Sequence, residues 1–308
     1  LEICRVNNSR TMKHYNDLGT FSKDIGIDAP EHPLFSITFG HKSNGGIDDI
    51  VFTAGFYIIS FQKFISGSIT YGKKDFDHAR GKLIFFKPNQ TVTFKNVKSE
   101  DDCFLILIKE DFLAGTNLHK EIREYGYFDY ETNEALYLSP SEEDTIWILV
   151  NIMHQELHNN TDVYSKSIHL SHLRTFLTYA QRFYKRQFIN RIETSGAYAN
   201  RFQQLIEAYY KENEFLEKGL PTVAYMADKL NVSPRYLSDL LKQETGKTAI
   251  ELIHIHLIKE AKNLLTDGKM NISEISFSLG FENPNYFARL FKKEVGIPPN
   301  IYRNEQLN

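Results

Sequence analysis

Cysteine is almost missing from this chain of 308 residues: Cys4 and Cys103 are the only two. That is too few for a disulfide framework, and neither lies near a second group of ligand-type residues that would suggest a zinc site, so a reducing compartment is expected. Long hydrophobic runs are missing as well. The longest, 104–108 and 146–150, fall far short of the roughly 20 residues that span a bilayer. No basic-then-apolar leader opens the sequence, and a soluble, cytoplasmic protein with no membrane partner is the expectation. Nor is there an excess of charge of either sign, since 36 Lys plus Arg against 39 Asp plus Glu leave a net charge of −3. A chain so balanced is no polycation, and any basic surface must be local. What remains is ordinary globular composition, 42% hydrophobic and 24% charged, with length enough for two cores.

Residues 34–108 read as strands. Segments 35–39, 56–61, 68–71, 82–86, 91–94 and 103–108 are short, aromatic and β-branched, and are separated by Gly, Pro, Asn and Asp. Such close spacing predicts a sandwich or barrel. From Ser141 the period changes to that of a helix. Ser141 and Asp144 suggest a capping box, and Ile146, Leu149, Val150, Met153 and Leu157 follow at helical spacing. A second amphipathic helix carries Ile168, Leu173, Phe176, Leu177, Ala180 and Phe183. The two form a hairpin over 141–190 whose residual apolar stripe either docks a second copy of the chain or covers the sheet domain. Residues 191–200 have no period and read as a linker, and 201–308 is helical throughout.

The last third repeats itself at an offset of 50 residues. Ser233, Pro234, Tyr236, Leu237, Leu240, Leu241, Lys242, Glu244 and Gly246 align with Asn283, Pro284, Tyr286, Phe287, Leu290, Phe291, Lys292, Glu294 and Gly296. Each copy predicts a helix, a tight turn and a second helix opened by a capping Ser or Asn and a Pro at the first position. That layout is a helix-turn-helix, whose second helix is suited to a DNA major groove. The paired stripes Tyr236, Leu237, Leu240, Leu241 and Tyr286, Phe287, Leu290, Phe291 are expected to face inward. Arg235, Ser238, Asp239 and Lys242, with Asn285, Ala288, Arg289 and Lys292, then face outward. Arg pairs with guanine, Asn with adenine, and Asp accepts from the cytosine amino group, so the set is competent to read bases. Between the copies a helix over 249–265, about 25 Å long, would hold two recognition helices about one DNA turn apart.

The stretch 272–303, with its Gly280-Phe281 turn, Tyr286-Phe287 and Phe291-Lys292-Lys293 core and the terminal Pro299-Asn-Ile-Tyr-Arg303, resembles the signature of the AraC/XylS family of bacterial transcription regulators. The resemblance covers about residues 201–303. It implies a seven-helix DNA-binding domain with two helix-turn-helix units, joined to a sensory domain. Arg235, Ser238 and Asp239 in the first unit, and Asn285 and Arg289 in the second, match positions where family members contact bases. Asp239 departs from the cationic residue common there; either it reads cytosine or that contact is missing. Residues 229–303 hold eleven Lys or Arg and eight Asp or Glu, a net of +3, which predicts modest phosphate binding by one copy and a benefit from dimerisation. Lys242, Lys247, Lys292 and Lys293 are the phosphate candidates, and each is otherwise a solvated side chain.

The strand-rich half, 1–140, sits where this family usually carries a cupin-like barrel or jelly roll, so the fold class expected is α+β and multidomain. Residues 81–88 resemble the cupin pattern of Gly, short apolar strand and Pro. Asp75, Asp77 and His78 precede them without the His-x-His pair that a catalytic metal needs. Tyr57, Ser60, Tyr71 and Phe85 are the candidates to line an effector pocket, alternate ones being core. His154 with His158, and His169 with His172, have the spacing for a metal held between helices; exposed polar histidines are the reading taken. Residues 174–191 carry five cations and no acid, as expected of a packed helix with a solvated basic edge.

Two function classes follow. The first is a transcription regulator answering to a small molecule through its N-terminal half. Its partners would be double-stranded operator DNA, RNA polymerase, the effector and a second copy, with no catalytic residue, cofactor or metal. The second is a metal-dependent cupin-type enzyme with a helical appendage. No nucleophilic triad, phosphate-cradling loop or pair of catalytic acids supports the enzyme, and the regulator is expected.

Overall fold

The structure, a computed structural model, describes residues 12–40, 50–70, 81–99, 102–131, 134–195 and 198–307. The chain divides into two compact units, Leu1–Gln187 and Phe188–Asn308.

The first unit runs β1 (Lys13–Tyr15), α1 (Leu18–Ile25), β2 (Phe35–Phe39), β3 (Ile50–Ala54), β4 (Phe56–Gln62), β5 (Phe64–Thr70), β6 (Lys82–Phe86), β7 (Val92–Ser99), β8 (Phe104–Lys109), α2 (Glu110–Leu113), α3 (Leu118–Glu124), a 3-10 turn at Gly126–Asp129, β9 (Leu136–Tyr137) and α4 (Pro140–His158). Helix α5 (Ser165–Ser195) begins in it. The strands make a four-stranded sheet ordered β1-β3-β7-β5 and a five-stranded sheet ordered β2-β8-β4-β6-β9. Among the described residues the two sheets do not join, so the expected barrel is two layers without closure.

Both faces of the five-stranded sheet are buried, which is why β4, β6 and β8 are mostly apolar, and even their Ser60, Gln62 and Lys82 are buried. Alternation splits each strand between two cores. Ile58, Ile84, Phe86, Leu105 and Leu107 meet Phe52, Val92 and Phe94 of the other sheet, with Phe21 and Ile25 of α1 in the same cluster. On the opposite face Phe61 and Phe104 take the edge of Trp147 on α4 at 5.7 and 5.3 Å, and Phe104 meets Phe176 on α5 at 6.5 Å. The helical hairpin thus covers the sheet, leaving Ile148 and Ile152 as exposed apolar residues on α4. Its capping box is Ser139 with Glu142, not Ser141 with Asp144: the Ser139 N–H donates to the Glu142 carboxylate at 2.9 Å, and Pro140 takes the first helical turn. The basic edge of residues 174–191 is exposed at Arg174, Arg182 and Lys185, with Arg174 pairing Glu121 at 2.9 Å and the half-buried Arg186 pairing Glu142 at 2.6 Å.

The expected linker at 191–200 is helical in most of its length, α5 continuing to Ser195 and α6 (Tyr198–Lys211) starting three residues on. Ile, Arg and Glu carry the helix forward, and the one strong breaker in the segment is Gly196. The second unit continues through α7 (Phe215–Lys218), α8 (Val223–Leu230), α9 (Pro234–Thr245), α10 (Ala249–Asp267), α11 (Ile272–Ser278), α12 (Pro284–Val295) and α13 (Pro299–Leu307). Seven are full helices and α7 is a single turn. Phe202, Leu237, Leu257, Phe287 and Phe291 belong to one shared core.

Candidate nucleic-acid interface

Both repeat copies fold as helix, turn, helix. In the first, α8 ends on Asn231 in the left-handed region at φ 59°, and the Ser233 hydroxyl accepts from the Tyr236 N–H at 3.2 Å to open α9. In the second, Gly280 takes the turn at φ 88°. A Cβ there would stand 3.0 Å from the Gly219 carbonyl oxygen, so both the backbone angle and the close approach require glycine. Phe281 fills the core behind the turn, and the Asn283 side chain accepts from the Asn285 N–H at 2.8 Å to open α12. Pro284, like Pro234, sits where its missing N–H is harmless.

The helices that hold these units in place are well anchored. Helix α10, 19 residues and so about 28 Å long, starts on a Thr248–Glu251 capping box and ends on Gly268 in the left-handed region. The terminal motif of α13 is structural. The Tyr302 ring packs on Phe291 at 5.4 Å, and the Arg303 guanidinium donates to the Met270 carbonyl at 2.7 Å. Tyr210 donates its hydroxyl to the Leu279 carbonyl at 3.2 Å and stacks on the His256 ring at 5.4 Å. Burial raises the Tyr210 phenol above its ordinary range and lowers the His256 imidazole below its own.

Tyr236, Leu237, Leu240 and Leu241 of α9 are buried, as are Phe287, Leu290 and Phe291 of α12. Tyr286 is not: 43% of it is exposed, where an inward position was expected. Tyr236 is covered by Phe188, whose ring crosses it at 5.0 Å, whereas Tyr286 rests only its edge on Phe281 at 5.7 Å. Of the base-reading candidates, Arg235, Asn285 and Arg289 are exposed and Ser238 and Asp239 half-buried. Arg235 and Asp239, one helical turn apart, form an ion pair at 3.1 Å, an arrangement the sequence spacing allows but which outward placement alone did not reveal. Lys242, Lys247, Lys292 and Lys293 are all exposed, the last two close to Arg289 along α12.

In the first unit, a narrow cavity of about 10 Å³ lies between the sheets, lined by Phe21, Ile58, Phe94 and Leu105 among others, with Ser60 and Gln62. The Ser60 hydroxyl and the Gln62 carbonyl oxygen are buried without a hydrogen-bond partner among the described residues. Ser60 lines this cavity. Tyr57 and Phe85 do not, because strand alternation turns them to the opposite face, onto Phe128 at 5.1 Å and Tyr127 at 4.6 Å. Tyr71, Asp75, Asp77 and His78 lie outside the described residues. His169, expected on an exposed helix surface, is 5% exposed and packs on Phe35.

Two exposed recognition helices on one all-α scaffold define a helix-turn-helix DNA-binding domain. Residues 226–305 match the family model described as a helix-turn-helix domain. The uncharacterised regulator YobQ of Bacillus subtilis is 35% identical over 83 residues, 27% of this chain and 34% of its own. The transcriptional activator RhaR of Cronobacter sakazakii is 35% identical over 74 residues, 24% of this chain and 26% of its own. Among solved structures, the C-terminal domain of AraT, a response regulator from Geobacillus stearothermophilus, is 34% identical, covering 34% of this chain and 83% of that one with a TM-score of 0.31. The chain spans less than half the length of the first curated relatives it matches. Residues 226–305 thus carry a helix-turn-helix domain similar to those of these transcriptional regulators. No helix of the described residues is long and apolar enough to cross a membrane.

Proposed function

We propose that the protein is a sequence-specific, cytoplasmic transcription regulator that reads double-stranded operator DNA with α9 and α12 and takes its signal through the N-terminal unit. The observation that carries this reading is the pair of capped recognition helices, each with a buried apolar stripe and an exposed polar edge. Arg235, Ser238, Asp239, Asn285 and Arg289 serve as base readers. Lys242, Lys247, Lys292 and Lys293 hold phosphates, helped by backbone N–H groups at the capped helix starts. The Asp239 carboxylate either accepts from cytosine or positions Arg235, and their ion pair supports the second role.

Residues 1–140 act as a cupin-like sensor, 141–190 as the dimerising hairpin, and 201–308 as the DNA-binding domain, which in turn contacts RNA polymerase. The cavity beside Ser60 and Gln62 suits an effector that is mostly apolar and brings hydrogen-bond donors to two oxygens. As it stands the cavity has room for roughly one water, so an effector enters by parting the sheets, and that movement is the signal.

Selection of randomised duplex DNA by the full chain tests the reading. The expected product is one site with two sub-motifs about one helical turn, ~10.5 base pairs, apart. Recovery of unenriched DNA would overturn it. Sedimentation of the full chain and of an Ile148→Lys, Ile152→Lys variant tests the hairpin contact, which predicts dimer for the first and monomer for the second.

A further inference from the structure

We propose that Glu31, His154 and His158 form a binding site for a divalent transition-metal ion, zinc being the member of that class that fits best. The three come from distant parts of the sequence. His154 and His158 stand one turn apart near the end of α4, so their rings share a face of the helix, with centroids 4.3 Å apart. Glu31 arrives on that face from the segment before β2, its carboxylate 3.7 Å from the His158 Nε2. One ligand atom from each residue lies within 4.8 Å of the other two. Tetrahedral zinc, with bonds of about 2.0–2.2 Å, sets its ligand atoms about 3.4 Å apart, so a small turn of the side chains closes the set.

The surroundings orient each ligand as a metal site requires. The His158 Nδ1 lies 2.9 Å from the His154 backbone carbonyl and donates to it, which leaves Nε2 as the lone-pair atom facing Glu31. Ser36 donates its hydroxyl to one oxygen of the Glu31 carboxylate at 3.3 Å, and the other oxygen faces His158. The His154 ring is steadied by Phe39 at 4.6 Å. Two imidazoles and one carboxylate exclude magnesium and calcium, which take oxygen ligands, and leave a position open to water. A bound ion would clip the start of β2 to the last turn of α4.

The full chain, stripped with EDTA, is titrated with zinc chloride against a chromophoric chelator, and with cobalt(II) to report the donor set by its visible bands. One equivalent is expected to bind. His154→Ala and His158→Ala should each weaken binding at least about tenfold. Glu31→Gln, at an exposed position that does not threaten the fold, should weaken it as well, while His172→Ala should leave it unchanged. No binding by the unaltered chain would overturn the proposal. So would affinity unchanged from the unaltered chain in all three ligand variants, or cobalt bands of thiolate type that place the ion on Cys4 or Cys103.

Discussion

The two helix-turn-helix copies follow one sequence pattern and meet different surroundings. Tyr236 is fully buried beneath Phe188, while its counterpart Tyr286 is 43% exposed. The turn of the first copy is made by Asn231, and that of the second by a glycine pressed against the Gly219 carbonyl. Arg235 is engaged by Asp239, whereas among the described residues no carboxylate engages Arg289. A shared pattern therefore specifies where each helix starts, turns and buries its stripe. It does not specify what lies above that stripe, and so α9 is the tethered helix and α12 the open one.

The largest effect expected from this contrast is on stability. Tyr236→Ala should destabilise the C-terminal unit by about 3–5 kcal/mol and Tyr286→Ala by less than about 1 kcal/mol in urea titrations; equal losses would erase the distinction. At the turns, Gly280→Ala should cost about 1–3 kcal/mol, because alanine must adopt a left-handed angle and crowd a carbonyl. Asn231→Gly should change stability by no more than a few tenths of a kcal/mol.

On DNA, Arg289→Ala should lower specific binding by about 1–3 kcal/mol and relax one base position. Equal loss on random DNA would count against base reading. Asp239→Asn frees Arg235 from a partly exposed pair worth about 0.3–0.5 kcal/mol. It should leave overall affinity nearly unchanged and shift base preference in the other half of the site, and an unaltered selected motif would dismiss Asp239 as either reader or positioner.

The smallest effect is on pH dependence. Burial holds His256 below its ordinary value, so the unfolded chain takes up its proton first as pH falls through about 6.5. The C-terminal unit should then lose stability between about pH 7 and pH 5, since the unfolded form binds more protons. His256→Gln should flatten that slope in thermal melts; an unchanged slope would assign it to His254, whose imidazole burial also lowers.

Much of this was legible in the residues. Strands 35–39 and 82–86 appear as expected, and both turns, both caps and both leading prolines of the repeat are where the pattern put them. The failures have a common cause in long-range packing. In a strand buried on both faces, apolar residues point both ways and the few polar ones, Ser60 and Gln62, are buried too, so the pattern does not separate the face of Tyr57 and Phe85 from that of Ser60. The short β1, β3 and β9 carry too few residues for a period to appear. Tyr286 was placed inward because its repeat partner is apolar-facing, and nothing within the repeat announces the Phe188 ring that covers only one of them. Glu31 lies more than a hundred positions from His154, so the spacing that makes the two histidines a pair could not supply their third neighbour.

On the proposed function, the inequality of α9 and α12 gives the C-terminal unit a heading. Because the two helices carry different side chains, one such unit on its DNA site would tell one direction of the duplex from the other, and reversing the site would turn the unit end for end.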